Sequence, residues 1–369
     1  MRVLILWANK NHDNLGVAAL GRGMEKLAKQ AFGEKTEVYF HGTGDSSLPH
    51  NDGPINISRV KLLLKSALTP KSEFNKWLKS FDLIIDARGG DSFSDIYGVK
   101  RQIKTSTLSW LAPFWGVPVV MGPQTIGPFN TVIGKSAAWL TLKTAKQVFS
   151  RDPISVEYAN KLGHYPEVLT TDVVFALEHE KLEKEYDVLL NVSGLLWDKN
   201  PHVNYEKYRL SIMDIIENLH KNGRDITLFP HVLSDSPQSR LDHDIYPIAE
   251  LIEKYPYLKV ATPKDLLDAR KIAGKARVVI AARMHACLNA LSMSTPAIPM
   301  AYSRKFEPLL SQINWSHTVD IRTENNVAQR VLQLVSKTEH LAEEARDVRS
   351  YADSLISKAV HSLQKIGHQ

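Results

Sequence analysis

Short apolar runs, separated by stretches whose apolar residues recur at helical spacing, fill most of this chain. The first run, residues 2–8, predicts a buried strand, followed after a polar loop by an amphipathic helix over 17–31. A second strand is expected at 37–41, and 43–56, rich in Gly, Asp, Ser and Pro, reads as a loop. Helical patterns at 60–68 and 72–78 lead to a strand at 83–87. A helix over 102–114, a strand at 117–121, a helix over 134–144, a strand at 147–150 and a helix over 154–162 continue the alternation. The run from Glu178 to Glu185 has no apolar face and reads as a linker. Beyond it the pattern restarts, with strands at 187–192, 226–229, 258–261, 278–281 and 297–301 and helices at 205–221, 241–255, 263–274 and 286–293. Residues 326–366 form a helical tail with charged faces.

Strands that alternate with helices run parallel and are covered on both faces. A chain of 369 residues supports two such cores. The expected fold is therefore α/β: two tandem Rossmann-like domains, 1–178 and 186–369, facing a cleft in a GT-B-like arrangement with a C-terminal helical tail. In such sheets ligands bind outside the carboxyl ends of the strands.

Charge and composition narrow the picture. A formal net charge of +6 favours anionic substrates or an anionic membrane surface, although many proteins with neither partner share it. No Lys/Arg run is interleaved with aromatics, which argues against a nucleic-acid groove. The single cysteine, Cys287, rules out a disulfide within the chain and fits a reducing compartment. The first apolar run is too short for a signal peptide and is followed by no small-residue cleavage site. No apolar run reaches the length of a membrane span. The expectation is a cytoplasmic protein, with peripheral association at the inner face of the membrane left open.

Four loops follow predicted strands in the first half. Asn9 to Gly16, with Asn14 and Gly16, opens a helix; it is either a plain strand-to-helix turn or a site for an anion or hydroxyl. It has neither the G-x-G-x-x-G nor the Walker pattern. In the second loop, Gly89 and Gly90 permit close approach of a ligand or simply make a tight turn, while Asp91 and Asp95 accept from sugar hydroxyls or cap a helix. The third, Gly122 to Phe129, is stiffened by Pro123 and Pro128 and offers Gln124 as both donor and acceptor. In the fourth, Arg151 either projects toward the ligand end of the sheet or pairs with a nearby carboxylate, and Asp152 either caps the next helix or serves the site.

The sharpest constellation is Arg283-Met284-His285, where a strand runs into a helix. It combines a permanent cation, oriented N–H groups and a side chain able to move a proton near neutrality. Tyr302 and Lys305 follow the next strand and either complete a polar wall or simply begin a surface helix; His231 follows another strand with the same two readings. Absence of H-E-x-x-H, paired cysteines or a D-x-D directly after a strand implies neither metal nor cofactor.

Taken in order, these segments resemble the polysaccharide pyruvyl transferase family. The matching features are Asn14-Leu15-Gly16, Gly89-Gly90, Gly122 to Pro128, Ser150-Arg151-Asp152 with Ser155, Thr171-Asp172, Asn191 to Gly194, Arg283-Met284-His285, and Tyr302 with Lys305. Val17 stands where the family usually has Asp, and Met284 where it commonly has Leu, a volume-conserving exchange. The resemblance implies transfer of a pyruvyl group from phosphoenolpyruvate to two hydroxyls of a sugar in a polysaccharide or its lipid-linked precursor, forming a ketal and releasing phosphate. It assigns the donor to Arg151, Arg283 and His285, drawn from both halves, with Met284 placed between the last two; the proton that ketal formation must deliver to the methylene carbon makes His285 the expected general acid. Recognition of sugar hydroxyls by hydrogen bonds places the acceptor, as an expectation from residue type, at Asn14, Gly16, Gly90, Asp91, Gln124, Tyr302 and Lys305. A nucleotide-sugar glycosyltransferase of the same architecture and a non-catalytic family member are the alternatives.

Overall fold

The computed structural model of the protein describes residues 1–42, 53–233 and 242–367. The chain forms two compact units, one of Met1–Lys10, Leu20–Leu177 and Asp353–Gln369, the other of Asn11–Ala19 and Glu178–Ala352.

The first unit is built on six parallel strands: β1 (Arg2–Leu6), β2 (Glu37–His41), β3 (Leu83–Asp86), β4 (Val119–Gln124), β5 (Gln147–Ser150) and β6 (Val168–Leu169), in the order β2-β1-β3-β4-β5-β6. Every residue of β3 and β4 is buried, which is why Leu83–Ile85 and Val119–Met121 read as apolar runs without polar alternation. Strand order reverses between β1 and β3, the place where open α/β sheets leave a crevice. Gly89 N–H donates to Trp7 O at 2.8 Å across that reversal.

The second unit repeats the plan with β7 (Tyr186–Asn191), β8 (Ile226–Leu228), β9 (Lys259–Val260), β10 (Ala276–Ala281), β11 (Ala297–Ala301) and β12 (Val319–Asp320), all parallel, in the order β12-β11-β10-β7-β8-β9. Its reversal lies between β7 and β10. The segment that follows β1 in sequence is part of this unit. Asn14 and Val232 form an antiparallel bridge, Leu15 N–H donates to His231 O at 3.2 Å, and Leu233 N–H donates to Asp13 O at 3.1 Å.

Several boundaries move for identifiable reasons. The strand expected at 117–121 continues to Gln124, its pairing with β5 shifting register between Met121 and Gln124, where Pro123 has no N–H to give the ladder. The helix expected over 241–255 begins at Ile245; residue 241 lies outside the described residues, as do 43–52 of the expected loop. The helix expected at 286–293 starts two residues earlier, Met284–Ser292, and so takes His285 into its first turn. The tail comprises two helices, Val327–Val335 and Thr338–Gly367. Unforeseen elements are short: β6, β12 and the helices Gly194–Trp197 and Phe306–Ser311. Two to six residues carry too little periodicity to be read.

Candidate functional site

At the reversal of the second sheet, β10 ends at Ala281 and the chain turns into the helix Met284–Ser292 with Arg283 as its N-cap residue. Arg283 N–H donates to Asn191 Oδ1 at 3.0 Å, joining the ends of β10 and β7. The guanidinium is held from a third direction. Nε and Nη2 donate to Asp244 Oδ1 at 3.0 and 2.8 Å, Nη1 donates to Asp242 Oδ1 at 2.8 Å, and Nη2 also donates to Asp242 O. Burial alone would lower the Arg283 pKa, but the charges of Asp244 and then Asp242 raise it above the ordinary arginine value. The side chain is thus a cation met by two carboxylates, one buried (Asp244) and one half-exposed (Asp242).

Asp244 organises this end of the sheet. Besides Arg283, its Oδ1 accepts from Gly194 N–H at 3.1 Å, and its Oδ2 accepts from Asn191 Nδ2, His231 N–H and Val232 N–H at 3.0, 2.9 and 3.2 Å. One carboxylate therefore ties together the segments that follow β7, β8 and β10. The loop carrying it packs so closely on Gly194 that a Cβ there would lie 2.0 Å from His243 O, so only glycine fits.

His285 stands in the first turn of the helix, directly against the segment that precedes residue 20. A Cβ on Gly16 would lie 2.8 Å from His285 Nδ1 and 3.1 Å from Asn14 Oδ1, so the glycine lets the imidazole sit on the chain. Asn14 Oδ1 accepts from Gly16 N–H at 3.0 Å, fixing that turn. Asn14, Gly16 and His285, far apart in sequence, are brought together. His231 lies in the same cluster. It is fully buried, and burial first, then the charges of His285 and Arg283, push its pKa well below the usual histidine range, so it is neutral. Asn289 Nδ2 lies 2.8 Å from His231 Nε2; with the amide donating, the ring proton resides on Nδ1. Cys287, one turn along the same helix, is buried and its thiol is pushed up by burial, which removes it as a nucleophile at neutral pH.

Tyr302 and Lys305 follow β11, the strand next to β10, at the same end of the sheet; Lys305 is the N-cap residue of the helix Phe306–Ser311. The Tyr302 ring lies 5.5 Å from that of His202, which lines a cavity of about 340 Å³ with Asn204, Lys207, Tyr208 and Arg322. The hydroxyl of Tyr208 accepts from Ser193 N–H at 3.0 Å, so this cavity shares a wall with the segment following β7.

In the first unit the predicted residues surround the carboxyl ends of β3, β4 and β5. Gly90 takes a left-handed conformation (φ 80°), and a Cβ on it would lie 3.0 Å from Arg151 Nη1, so Gly90 and Arg151 adjoin. Arg151 is itself buried and paired: Nη1 donates to Asp172 Oδ2 at 2.6 Å and Nε to Thr125 Oγ1 at 3.0 Å. Gln124 is buried in the sheet, where its Nε2 donates to Asp86 O at 2.8 Å. Asp91 accepts from the Tyr97 hydroxyl at 3.0 Å. Asp152 caps the helix Pro153–Lys161, accepting from Ser155 N–H at 2.8 Å. Asp95 accepts from Asn130 N–H, Thr131 N–H and the Thr131 hydroxyl, and so holds the loop that leaves β4.

Four participants escaped the sequence reading. Asp242 and Asp244 were absorbed into the first turn of a predicted helix. Asp86 and Arg88 form a fully buried pair at the end of β3, Nε donating to Asp86 Oδ2 at 3.0 Å, with Arg88 stacked 4.6 Å from the Phe93 ring centre. Burial pushes the Asp86 carboxyl up and the Arg88 guanidinium down, against their mutual attraction. The available signal was a pair of charges closing an otherwise apolar strand. Among the described residues, no three His, Cys, Asp or Glu side chains gather in a manner that could hold a metal ion.

Solved structures with the same two-unit plan include the UDP-GlcNAc 2-epimerase of Neisseria meningitidis bound to UDP-GlcNAc (12% identity, 99% of each chain, TM-score 0.60). The S. aureus MnaA–UDP structure (12%, 93% of this chain and 91% of that one, TM-score 0.55) and Anabaena HepE with UDP and glucose (11%, 98% and 97%, TM-score 0.54) are further examples. At these identities the likeness is one of fold: tandem Rossmann-like domains of the GT-B kind, with a C-terminal helix. In sequence, the amylovoran biosynthesis protein AmsJ of Erwinia amylovora is 20% identical over 260 residues, 65% of this chain and 61% of that protein. Residues 14–304 match the polysaccharide pyruvyl transferase family, a span that opens at Asn14 and takes in Arg151, Asp244, Arg283, His285 and Tyr302. The chain belongs to that family.

Proposed function

We propose that the protein transfers the pyruvyl group of phosphoenolpyruvate to two hydroxyls of a sugar in a polysaccharide or its lipid-linked precursor, forming a cyclic ketal and releasing phosphate. The observation that carries this reading is the cluster at the end of β10. A histidine rests on a glycine backbone in the first turn of a helix, beside a fixed cation and a neutral second histidine.

Phosphoenolpyruvate is small and densely anionic. The N-terminal N–H groups of the helix Met284–Ser292 and the Arg283 charge favour such a ligand. Because Arg283 is already met by two carboxylates, the donor gains its guanidinium by displacing Asp242, the half-exposed partner; Asp244, buried under six donors, stays. His285, protonated, delivers its proton to the methylene carbon, and the central carbon becomes electrophilic. One sugar hydroxyl attacks that carbon and gives up its proton, restoring the acid. The C–O bond to phosphate breaks, a second hydroxyl closes the ring, and its proton leaves with the phosphate. Donor and diol thus become ketal and hydrogen phosphate, with no oxidant required. The family resemblance gives Arg151 a share in donor binding; the acceptor is proposed at Asn14, Gly16, Gly90, Asp91, Gln124, Tyr302 and Lys305 because residues of these kinds can recognise sugar hydroxyls.

The test is phosphate release from phosphoenolpyruvate in the presence of candidate oligosaccharides, with mass detection of a pyruvylated product. Thermal shift with phosphoenolpyruvate against a panel of nucleotide sugars runs alongside. Stabilisation by a nucleotide sugar and none by phosphoenolpyruvate would reject the donor.

A further inference from the structure

The helix Val132–Thr144 turns its small residues inward and its large ones out. The buried side consists of Gly134, Ala137, Ala138 and Thr141, with Leu142 the one large residue among them. The outward side carries Val132 (82% exposed), Ile133 (60%), Trp139 (46%) and Leu140. This rotation is fixed by what the inner face meets. A Cβ on Gly134 would lie 2.4 Å from Asp95 Oδ2, and Trp110 Nε1 donates to Thr141 Oγ1 at 2.8 Å. Neither contact survives a turn of the helix about its axis, so the bulky apolar groups stay outside.

The charges on this helix itself have one sign. Lys135 and Lys143 lie on the same outward stripe, with the Lys143 ammonium 4.9 Å from the Trp139 ring centre. Lys161, from the next helix, lines a groove with Trp139 and Leu140. No aspartate or glutamate occurs between Asp95 and Asp152, while Lys100, Arg101, Lys104, Lys135, Lys143 and Lys146 do; the helix Pro153–Lys161 contributes Glu157. Single exposed apolar residues are ordinary on a protein surface. Four large ones on a single helix, interleaved with lysines, match the boundary between headgroups and acyl chains in an anionic bilayer. There an indole and aliphatic groups enter the boundary and ammonium groups meet phosphates.

We propose that this helix face docks the first unit on a membrane surface containing anionic phospholipid, with Val132, Ile133 and Trp139 entering the boundary and Lys135, Lys143 and Lys161 pairing with headgroup phosphates. The helix begins immediately beyond the loop that leaves β4, in which Thr125 holds Arg151. Docking there would bring the loop that leaves β4 close to the lipid surface. The inference goes beyond the proposed reaction and does not depend on it.

The experiment pellets the full chain with vesicles of phosphatidylglycerol and phosphatidylcholine, or of phosphatidylcholine alone. Co-pelleting with the anionic vesicles only, weakened by salt and accompanied by a blue shift of tryptophan emission, is expected. Lys135→Gln with Lys143→Gln should weaken partition about 25-fold, roughly fivefold for each lysine. Val132→Ser with Ile133→Ser should weaken it at least about tenfold. All four side chains lie outside the core, so thermal melting should be unchanged, and so should phosphate release with a water-soluble acceptor. Failure to bind anionic vesicles, or equal binding by the variants, overturns the proposal. So does conversion of a dimer to a monomer by the Val132/Ile133 variant without vesicle binding, which would give the face to a second copy of the chain. Because phosphate release is assayed without lipid, either result leaves the reaction separately testable.

Discussion

Asp244→Asn changes one oxygen for an NH2 group, and the geometry makes that small change costly. Oδ1 accepts from Arg283 Nε, Arg283 Nη2 and Gly194 N–H; Oδ2 accepts from Asn191 Nδ2, His231 N–H and Val232 N–H. Whichever way the new amide turns, its NH2 faces three donors. A neutral hydrogen bond is worth about 1 kcal/mol net and one to a charged group about 1.5–3 kcal/mol. The loss is then about 3–5 kcal/mol, the range found when one partner of a buried ion pair is removed. With a urea slope of about 3 kcal/mol/M, the unfolding midpoint should fall by at least about 1 M. Trp197 and Trp315 are buried in the second unit, so their fluorescence follows the relevant transition. Asp242→Asn is the internal comparison. Its carboxylate is half-exposed, solvent screens it, and removing its charge should cost at most about 1 kcal/mol. Equal losses in the two variants, or a loss under about 1 kcal/mol for Asp244→Asn, would refute the idea that one buried carboxylate holds the three strand ends together.

The same two aspartates separate structure from function: Asp242→Asn, by removing the carboxylate that competes for Arg283 Nη1, should lower the KM for phosphoenolpyruvate severalfold, and an unchanged or raised KM would show that the donor never reaches the guanidinium. His285→Ala should cut turnover by about 10²–10⁴-fold while equilibrium dialysis still finds the donor bound; loss of donor binding alone would make the residue a ligand contact instead of an acid. Gly16→Ala lies within a helix, where alanine is intrinsically favoured by about 1 kcal/mol, so melting should hold or rise. Its Cβ nonetheless meets His285 Nδ1 at 2.8 Å, and turnover should drop by at least about tenfold as the imidazole is displaced. Asp187 is held by Arg224 through two bonds of 2.6 and 2.7 Å; burial would raise its pKa, but the Arg224 hydrogen bonds and charge outweigh that and lower it. A carboxyl depressed in the folded state stabilises above its unfolded pKa of about 3.9 and loses that contribution as pH falls through the folded value. Asp187→Asn should therefore narrow the gap to the wild type in melting temperature below about pH 4, and a gap independent of pH would refute the assignment.

Much of the fold, and the strand-to-helix turn at the center of the second unit's candidate site, could be read from the chain. Runs such as Val278 to Ala281 announce buried parallel strands, and the step from that run into Arg283-Met284-His285 marks a strand end meeting a helix start, where oriented N–H groups and side chains combine. What escaped was information that exists only across the fold. The helix expected over 241–255 takes in Asp242 and Asp244 as part of its first turn; the helix instead starts at Ile245 and leaves them in a loop that meets Arg283. That Gly16 must be a glycine is set by a ring 269 positions later, and that Gly194 must be one is set by the backbone of His243. The helix over 134–144 was visible as a helix, yet periodicity defines two faces without saying which one the core takes. Only the contacts of Gly134 and Thr141 decide that the small face goes in.

The sequence also hides whether a charge is available. Arg283 reads as a cation waiting for an anion, and the fold supplies two of its own. They are not equivalent: Asp244 answers six donors and is sealed from water, whereas Asp242 makes its contact from a half-exposed position and has water to return to. In the proposed reaction a donor would replace the second at modest cost and the first only by opening three strand ends. The guanidinium is held in orientation by one carboxylate while the other occupies its remaining edge. Under that proposal the site is rigid before the substrate enters, and the energy needed to admit it is that of moving one partly solvated side chain.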